Sequence, residues 1–216
     1  MKDKIEGIIS YLDELYPDAR CELNYTEDYE LLIATVLSAQ CTDKRVNEVT
    51  KVLWENYDIF SLAKANQKDI ESIIRPVGSY TKKASYLISI AKSLVENYEG
   101  HVPNNRDYLE SLPGVGRKTC NVVLSNIYDV PAIAVDTHVE RVSKRLGLAY
   151  KNDEVFVVER KLMKKFPKEK WSRLHHQLVL FGRYKCKAIK PECEDCKLNG
   201  FCKYFKNKKQ SQSFLD

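Results

Sequence analysis

Three groups of residues in this chain have the types and spacing to do chemistry. The first is LPGVGRKTC at 112–120, in which two glycines one residue apart lead to Lys118 at the expected start of a helix. From the residues alone that lysine reads as a solvated helix lysine, as a second phosphate contact or as an amine available for chemistry. The second is Asp136, eighteen residues further on in AVDTHVER. A carboxylate stabilises positive charge as it develops, so an amine and an acid at two helix starts suit a reaction at a sugar carbon. The third is Cys186, Cys193, Cys196 and Cys202, separated by six, two and five residues in CKAIKPECEDCKLNGFC. Four thiolates so close in sequence can reach one tetrahedral centre, either zinc or a cubane iron–sulfur cluster with one cysteine per iron, and ligand type leaves both open.

The glycine turn is not a nucleotide loop. A P-loop has its second glycine directly before Lys-Ser/Thr, and here Arg117 separates Gly116 from Lys118. A dinucleotide fingerprint needs a third glycine and a preceding strand, whereas NNRDYLESL reads as helix. Helix, Leu-Pro-Gly-Val-Gly, helix is instead a helical hairpin. Gly114, Val115 and Gly116 form a turn whose backbone N–H groups lie at the positive end of the second helix, a place for an anion such as a DNA phosphate. Such a contact positions the protein without reading base sequence.

The elements that must position these groups are helices. Apolar residues recur at three- and four-residue steps in IEGIISYLDELY, YELLIATVLSAQ, VNEVTKVLWENY, ASYLISIAKSLVENY, TCNVVLSNIY, THVERVSKRLGL and EVFVVERKLMKKF, with no sustained two-residue alternation. The fold class is all-α. Breaks at Pro76 to Gly78, Gly100 to Pro103, Pro113 to Gly116, Pro131, Gly147 and Pro167 leave about a dozen short helices, and PAIAVD at 131–136 reads as a connector between two halves. At about 100° per residue, Cys120, Val123, Leu124 and Ile127 form one apolar stripe. Lys118 lies opposite, sharing a face with Asn121 and Ser125 that points away from the core. Thr137 and Glu140 fit a capping box, starting the next helix just after Asp136.

Bulk properties agree. The 216 residues, 44% hydrophobic, suffice for one large or two small globular domains. The longest apolar run, LLIATVLSA at 31–39, is too short to span a membrane, and the amino-terminal segment lacks the pattern of a signal peptide. The expected location is the cytoplasm. From Phe181 onward lie nine basic and four acidic residues, which account for the whole net charge of +5. An excess confined to one end points to a polyanionic partner. Lys187 and Lys190 fall inside the six-residue cysteine loop, where a rigid centre would hold them toward phosphates. The closing stretch KNKKQSQSFLD reads equally as a solvated basic tail. Seven cysteines, an odd number, argue against a disulfide framework; Cys21, Cys41 and Cys120 read as small core residues.

The hairpin LPGVGRKTCNVVL, AVDTHVERV beyond it and the six-two-five cysteine spacing together resemble the endonuclease III family of DNA glycosylases, from about residue 30 through Tyr204. The resemblance implies two helical domains with a DNA groove between them: a six-helix barrel at 21–132 carrying the hairpin at about 105–128, and a second domain made of 1–20 with 133–216. It implies that the cysteines at 186–202 hold a 4Fe-4S cluster, that Lys118 is the nucleophile and that Asp136 is the catalytic carboxylate. The implied activity is removal of oxidised or ring-saturated pyrimidines from double-stranded DNA, with lyase cleavage at abasic sites, by a monomer associated with the nucleoid and not with membrane. Gln40, in SAQCTD, matches the residue that fills the gap left by a flipped nucleotide. Ser79, in GSYTKKA, stands where the family usually has a bulky apolar wedge, a departure that bears on opposite-base discrimination. His138, His175 and His176 read as hydrogen-bonded structural residues. The related adenine-mismatch glycosylases lack a lysine at the position of Lys118, and a DNA-binding module with structural zinc is the alternative without chemistry.

Overall fold

The structure, a computed structural model, describes the backbone of residues 2–212 and the side chains through Gln210. All regular structure among the described residues is helical. The chain divides into two compact units, residues 21–129 and residues 1–20 with 130–216.

The 21–129 unit is built around α2, Asp28–Leu37, whose residues from Leu31 to Leu37 are all buried. A helix that is apolar all round belongs at the centre of a domain. Its start is held by Glu30, whose carboxylate accepts from the N–H groups of Thr26 at 2.7 Å and Glu27 at 3.3 Å. Around it lie α3 (Asp43–Asn56), the single turn α4 (Ile59–Leu62), α5 (Gln67–Ile74), α6 (Tyr80–Tyr98), α7 (Arg106–Ser111) and α8 (Arg117–Ile127). Side-chain oxygens cap four of them: Thr42 for α3, Asp58 for α4, Asn66 for α5 and Asn105 for α7. The Pro76–Gly78 break is a short 3₁₀ turn, Arg75–Val77, running into left-handed backbone at Gly78 and Ser79.

The other unit gathers α1 (Lys2–Leu15), α9 (Thr137–Leu146), α10 (Val155–Lys165), α11 (Trp171–Leu180) and α12 (Lys203–Gln212). Its core runs from Ile8 and Leu12 of α1 through Val139 and Val142 of α9 to Leu162, Leu178 and Phe181. The 131–136 connector is extended and largely buried, with Ile133 fully enclosed. A π-helical segment, Phe181–Lys185, closes α11 and delivers the chain into the cysteine loop. The carboxy-terminal basic stretch is helical as far as 212, and its last four residues lie outside the described residues.

Candidate active site and cysteine centre

Lys118 is the second residue of α8, exposed in the helix's first turn. Its exposure has a different cause from the one its helical phase predicts. Asn121 and Ser125, on the same face, are buried at 2% and 6%, because Asn121 accepts from the Arg106 guanidinium of α7 at 2.7 Å. α8 is therefore enclosed on both faces from Thr119 to Ser125, and only its amino-terminal turn protrudes. Gly116 is the N-cap, with extended backbone and no capping side chain. The first intrahelical bond is Cys120 N–H to the Gly116 carbonyl at 2.9 Å, so the donors ahead of it have no acceptor within the helix.

The hairpin glycines do different work. Gly114 has φ +80°, and a Cβ there would meet the Tyr86 ring at 2.6 Å, so only glycine fits. Gly116 has ordinary backbone, and nothing lies within 4 Å of where its Cβ would stand. Val115, between them, faces inward. Its side chain is buried and its N–H donates to the Leu112 carbonyl at 3.1 Å, making it the anchor of the turn.

Asp136 is itself the N-cap of α9. Its carboxylate accepts from Val139 N–H at 2.8 Å, and Glu140 pairs with Lys144 at 2.6 Å. The expected Thr137–Glu140 box is thus displaced by a cap one residue earlier. One carboxylate oxygen holds the helix start, and the half-buried group keeps a second for other work. His138 lies 3.2 Å from an Arg141 nitrogen, and the rings of His175 and His176 lie 4.8 Å apart, tilted at 57°.

The four cysteines of the loop are free thiols lining a single apolar pocket, walled by Leu146, Phe181, Tyr204 and Phe205. Burial, reinforced by the charges of Cys186 and Cys202, pushes the Cys193 thiol up, and burial does the same to Cys196. Burial thus favours the neutral thiols, and deprotonating all four in so apolar a pocket would call for a cationic guest. Among the described residues no three of His, Cys, Asp or Glu converge on a single ion; the thiols surround a space instead. Arg145 fastens the loop, donating to Cys186 Sγ at 3.4 Å, to the Lys187 carbonyl at 2.6 Å and to the Ala188 carbonyl at 3.0 Å while stacking on Tyr204. Arg141 adds a bond to the Gly182 carbonyl at 2.6 Å. Neither arginine was singled out by spacing, although they stand one helical turn apart on α9.

Lys190 is exposed with φ +50°. Lys187 is exposed too, with its ammonium 2.7 Å from the Glu192 carboxylate. Gln40 and Ser79 are both exposed, on left-handed backbone at φ +58° and +47°. Tyr80, beside Ser79, faces the Arg75 guanidinium at 5.7 Å. Cys21, half-buried, is a neighbour of Lys118 that the sequence did not mark: burial pushes its thiol up and the Lys118 charge acts in the opposite sense.

Residues 33–168 match the HhH-GPD superfamily of base excision DNA repair proteins. Endonuclease III of Bacillus subtilis is 47% identical over 204 residues, covering 93% of this chain and 92% of the relative. Endonuclease III of Escherichia coli K12 is 41% identical, covering 94% and 96%. Among solved structures, a trapped endonuclease III–DNA covalent intermediate superposes with a TM-score of 0.92 at 48% identity, over 97% of this chain and 99% of that one. A non-covalent endonuclease III–DNA complex gives 0.93 at the same identity and coverage. A helical fold with an outward glycine hairpin at the head of an enclosed helix thus defines a helix-hairpin-helix protein of base excision repair. Within that superfamily, the chain belongs to the endonuclease III family. No helix among the described residues is long and apolar enough to cross a membrane.

Proposed function

We propose that this chain removes oxidised or ring-saturated pyrimidines from duplex DNA and cuts the strand at the resulting abasic site, with Lys118 as nucleophile and Asp136 as the assisting carboxylate. Its family makes it a DNA glycosylase with AP lyase activity. The observation that supports the residue assignment is that Lys118 is exposed in the protruding first turn of an otherwise enclosed helix, directly behind the glycine hairpin.

A base inside a stacked duplex is out of reach, so the damaged nucleotide is extruded, with Gln40 and Ser79 contacting the vacated step. The uncharged Lys118 Nζ bonds to C1′ as the glycosidic bond breaks, and the bonding electrons leave with the base. Ring opening yields a protonated imine. Loss of a C2′ proton then expels the 3′ phosphate by β-elimination. The Asp136 carboxylate stabilises the positive charge on the sugar and relays protons. Gly114 and Gly116 let backbone donors approach a phosphate, and Lys190 adds a positive charge nearby in sequence to the cysteines. Excision from duplexes containing an oxidised pyrimidine, compared with undamaged duplex, tests this reading: release confined to the damaged strand supports it, and equal inertness on both contradicts it.

The cysteine pocket fits a 4Fe-4S cluster by its donor set. Four thiols line one apolar space, a donor set that suits a cubane with one thiolate per iron. Bound there, the cluster would cross-link the 186–202 loop; the residues themselves do the positioning, with Arg145 holding the Lys187 carbonyl and Arg141 the Cys186 carbonyl. The purified protein is expected to carry about four irons per chain, and metal analysis finding one zinc and no iron would refute this. The protein acts as a monomer, in the cytoplasm at the nucleoid where its DNA substrate lies.

The glycine pair separates folding from binding. Gly114→Ala introduces a methyl against Tyr86 at left-handed backbone, costing roughly 1–3 kcal/mol and lowering Tm by about 3–10 °C. Gly116→Ala meets open space and costs less than about 1 kcal/mol. Its methyl stands where a phosphate must approach, so DNA affinity is expected to fall about ten-fold. Thermal melts with fluorescence-anisotropy titrations check both; unchanged affinity in Gly116→Ala would remove the hairpin from the interface.

A further inference from the structure

A lysine interrupts the apolar stripe of α6. Lys83 is in phase with Leu87, Ile90 and Leu94 and is buried with them. An ammonium has three hydrogens to donate, and Lys83 Nζ meets three carbonyl oxygens: Leu37 at 3.0 Å, Ala39 at 2.9 Å and Val77 at 2.9 Å. These acceptors come from two segments distant in sequence. Leu37 ends α2, and Ala39 directly precedes Gln40. Val77 ends the 3₁₀ turn two residues before Ser79. The Lys83 N–H also donates to the Ser79 carbonyl at 3.0 Å. Leu37 and Val77 are terminal residues of their helical segments, and carbonyls at a helix carboxy-terminus favour a cation. Burial draws the Lys83 pKa down while Cys41 acts against it.

Gln40 and Ser79 both hold left-handed backbone, which side-chain-bearing residues keep only where the surroundings impose it. Both neighbouring turns are tied to one nitrogen, and the Ala39 and Val77 carbonyls lie within about 6 Å of each other because each is 2.9 Å from it. We propose that Lys83 is a positioning residue that locks the Gln40 and Ser79 turns at one separation, so that the two enter the duplex as a pre-spaced pair. The inference rests on the reading above that these residues contact the vacated step. Ser79 has little surface to stack on bases, which leaves its placement, rather than bulk, to hold the extruded state. Two turns free to move independently would have to be ordered on binding, at a cost to that state.

The test uses the full chain and duplex DNA with 2-aminopurine beside an oxidised pyrimidine, whose fluorescence rises as stacking is lost. Gln40→Ala examines the underlying reading: an undiminished rise would overturn it, and the inference with it. Lys83→Met is expected to lower both the fluorescence rise and excision from duplex about ten-fold. Borohydride trapping on single-stranded abasic DNA, which needs no extrusion, is expected to stay at the wild-type level. Duplex excision unaffected in Lys83→Met, or an equal loss on both substrates, would overturn the proposal. Should Lys83→Met fail to fold, Lys83→Gln, with two amide hydrogens for three carbonyls, is expected to show a smaller loss confined to duplex, and no such loss would overturn it.

Discussion

Replacing Lys118 with glutamine is expected to reduce strand cleavage at abasic sites by about 10⁴-fold or more, because the amide cannot form the bond to C1′ that the remaining steps require. The fold is expected to be indifferent to the change. Lys118 is exposed in the first turn of α8, and surface substitutions away from packed or bonded groups stay within about 0.5 kcal/mol. Affinity for abasic duplex should fall only slightly, since one charge among several phosphate contacts is lost. Single-turnover cleavage, a thermal melt and a binding titration on one preparation separate these quantities. A variant that melts and binds as wild type while cutting within ten-fold of its rate would remove Lys118 from the chemistry.

Asp136 needs two substitutions, because the structure gives it a second duty. Its carboxylate caps α9 through Val139 N–H at 2.8 Å, so loss of activity in an alanine variant could follow from a frayed helix. Asparagine caps about as well as aspartate but carries no charge. Asp136→Asn is therefore expected to keep the wild-type Tm and lose about 10²–10³-fold in single-turnover excision, the scale of a missing electrostatic partner in a transition state. Asp136→Ala adds a stability loss of about 1 kcal/mol. If the asparagine variant excises damaged bases as fast as wild type, the carboxylate is a cap alone.

The helices were legible because their apolar residues repeat at three- and four-residue steps and because proline and glycine interrupt them at the observed turns. What escaped depends on tertiary partners. Asn121 and Ser125 read as an outward polar face, yet Asn121 is buried against Arg106, fifteen residues away on the neighbouring helix. At the head of α9, Asp136 and Thr137 are both good caps, and the extended backbone at Asp136, φ −99° and ψ −175°, makes it the one that caps. The cysteines stood out because their type and spacing are themselves a metal-site signal, whereas Lys118 and Asp136 drew their expected roles from the family resemblance of the motifs around them. Lys83 carried a fainter one, a charged residue in phase with an apolar stripe, whose meaning lies in three carbonyls that no local pattern identifies. The left-handed backbone of Gln40, Ser79 and Lys190 was invisible because none is a glycine, the residue type that marks such backbone in a sequence.

The most direct measurement locates the covalent bond. The wild-type protein is incubated with abasic-site duplex in the presence of borohydride, which reduces the imine to a stable amine, and the adduct is digested and mapped by mass spectrometry. The deoxyribose remnant is expected on Nζ of Lys118; its appearance on another amine, or a failure to form any adduct while the strand is still cut, would contradict the account.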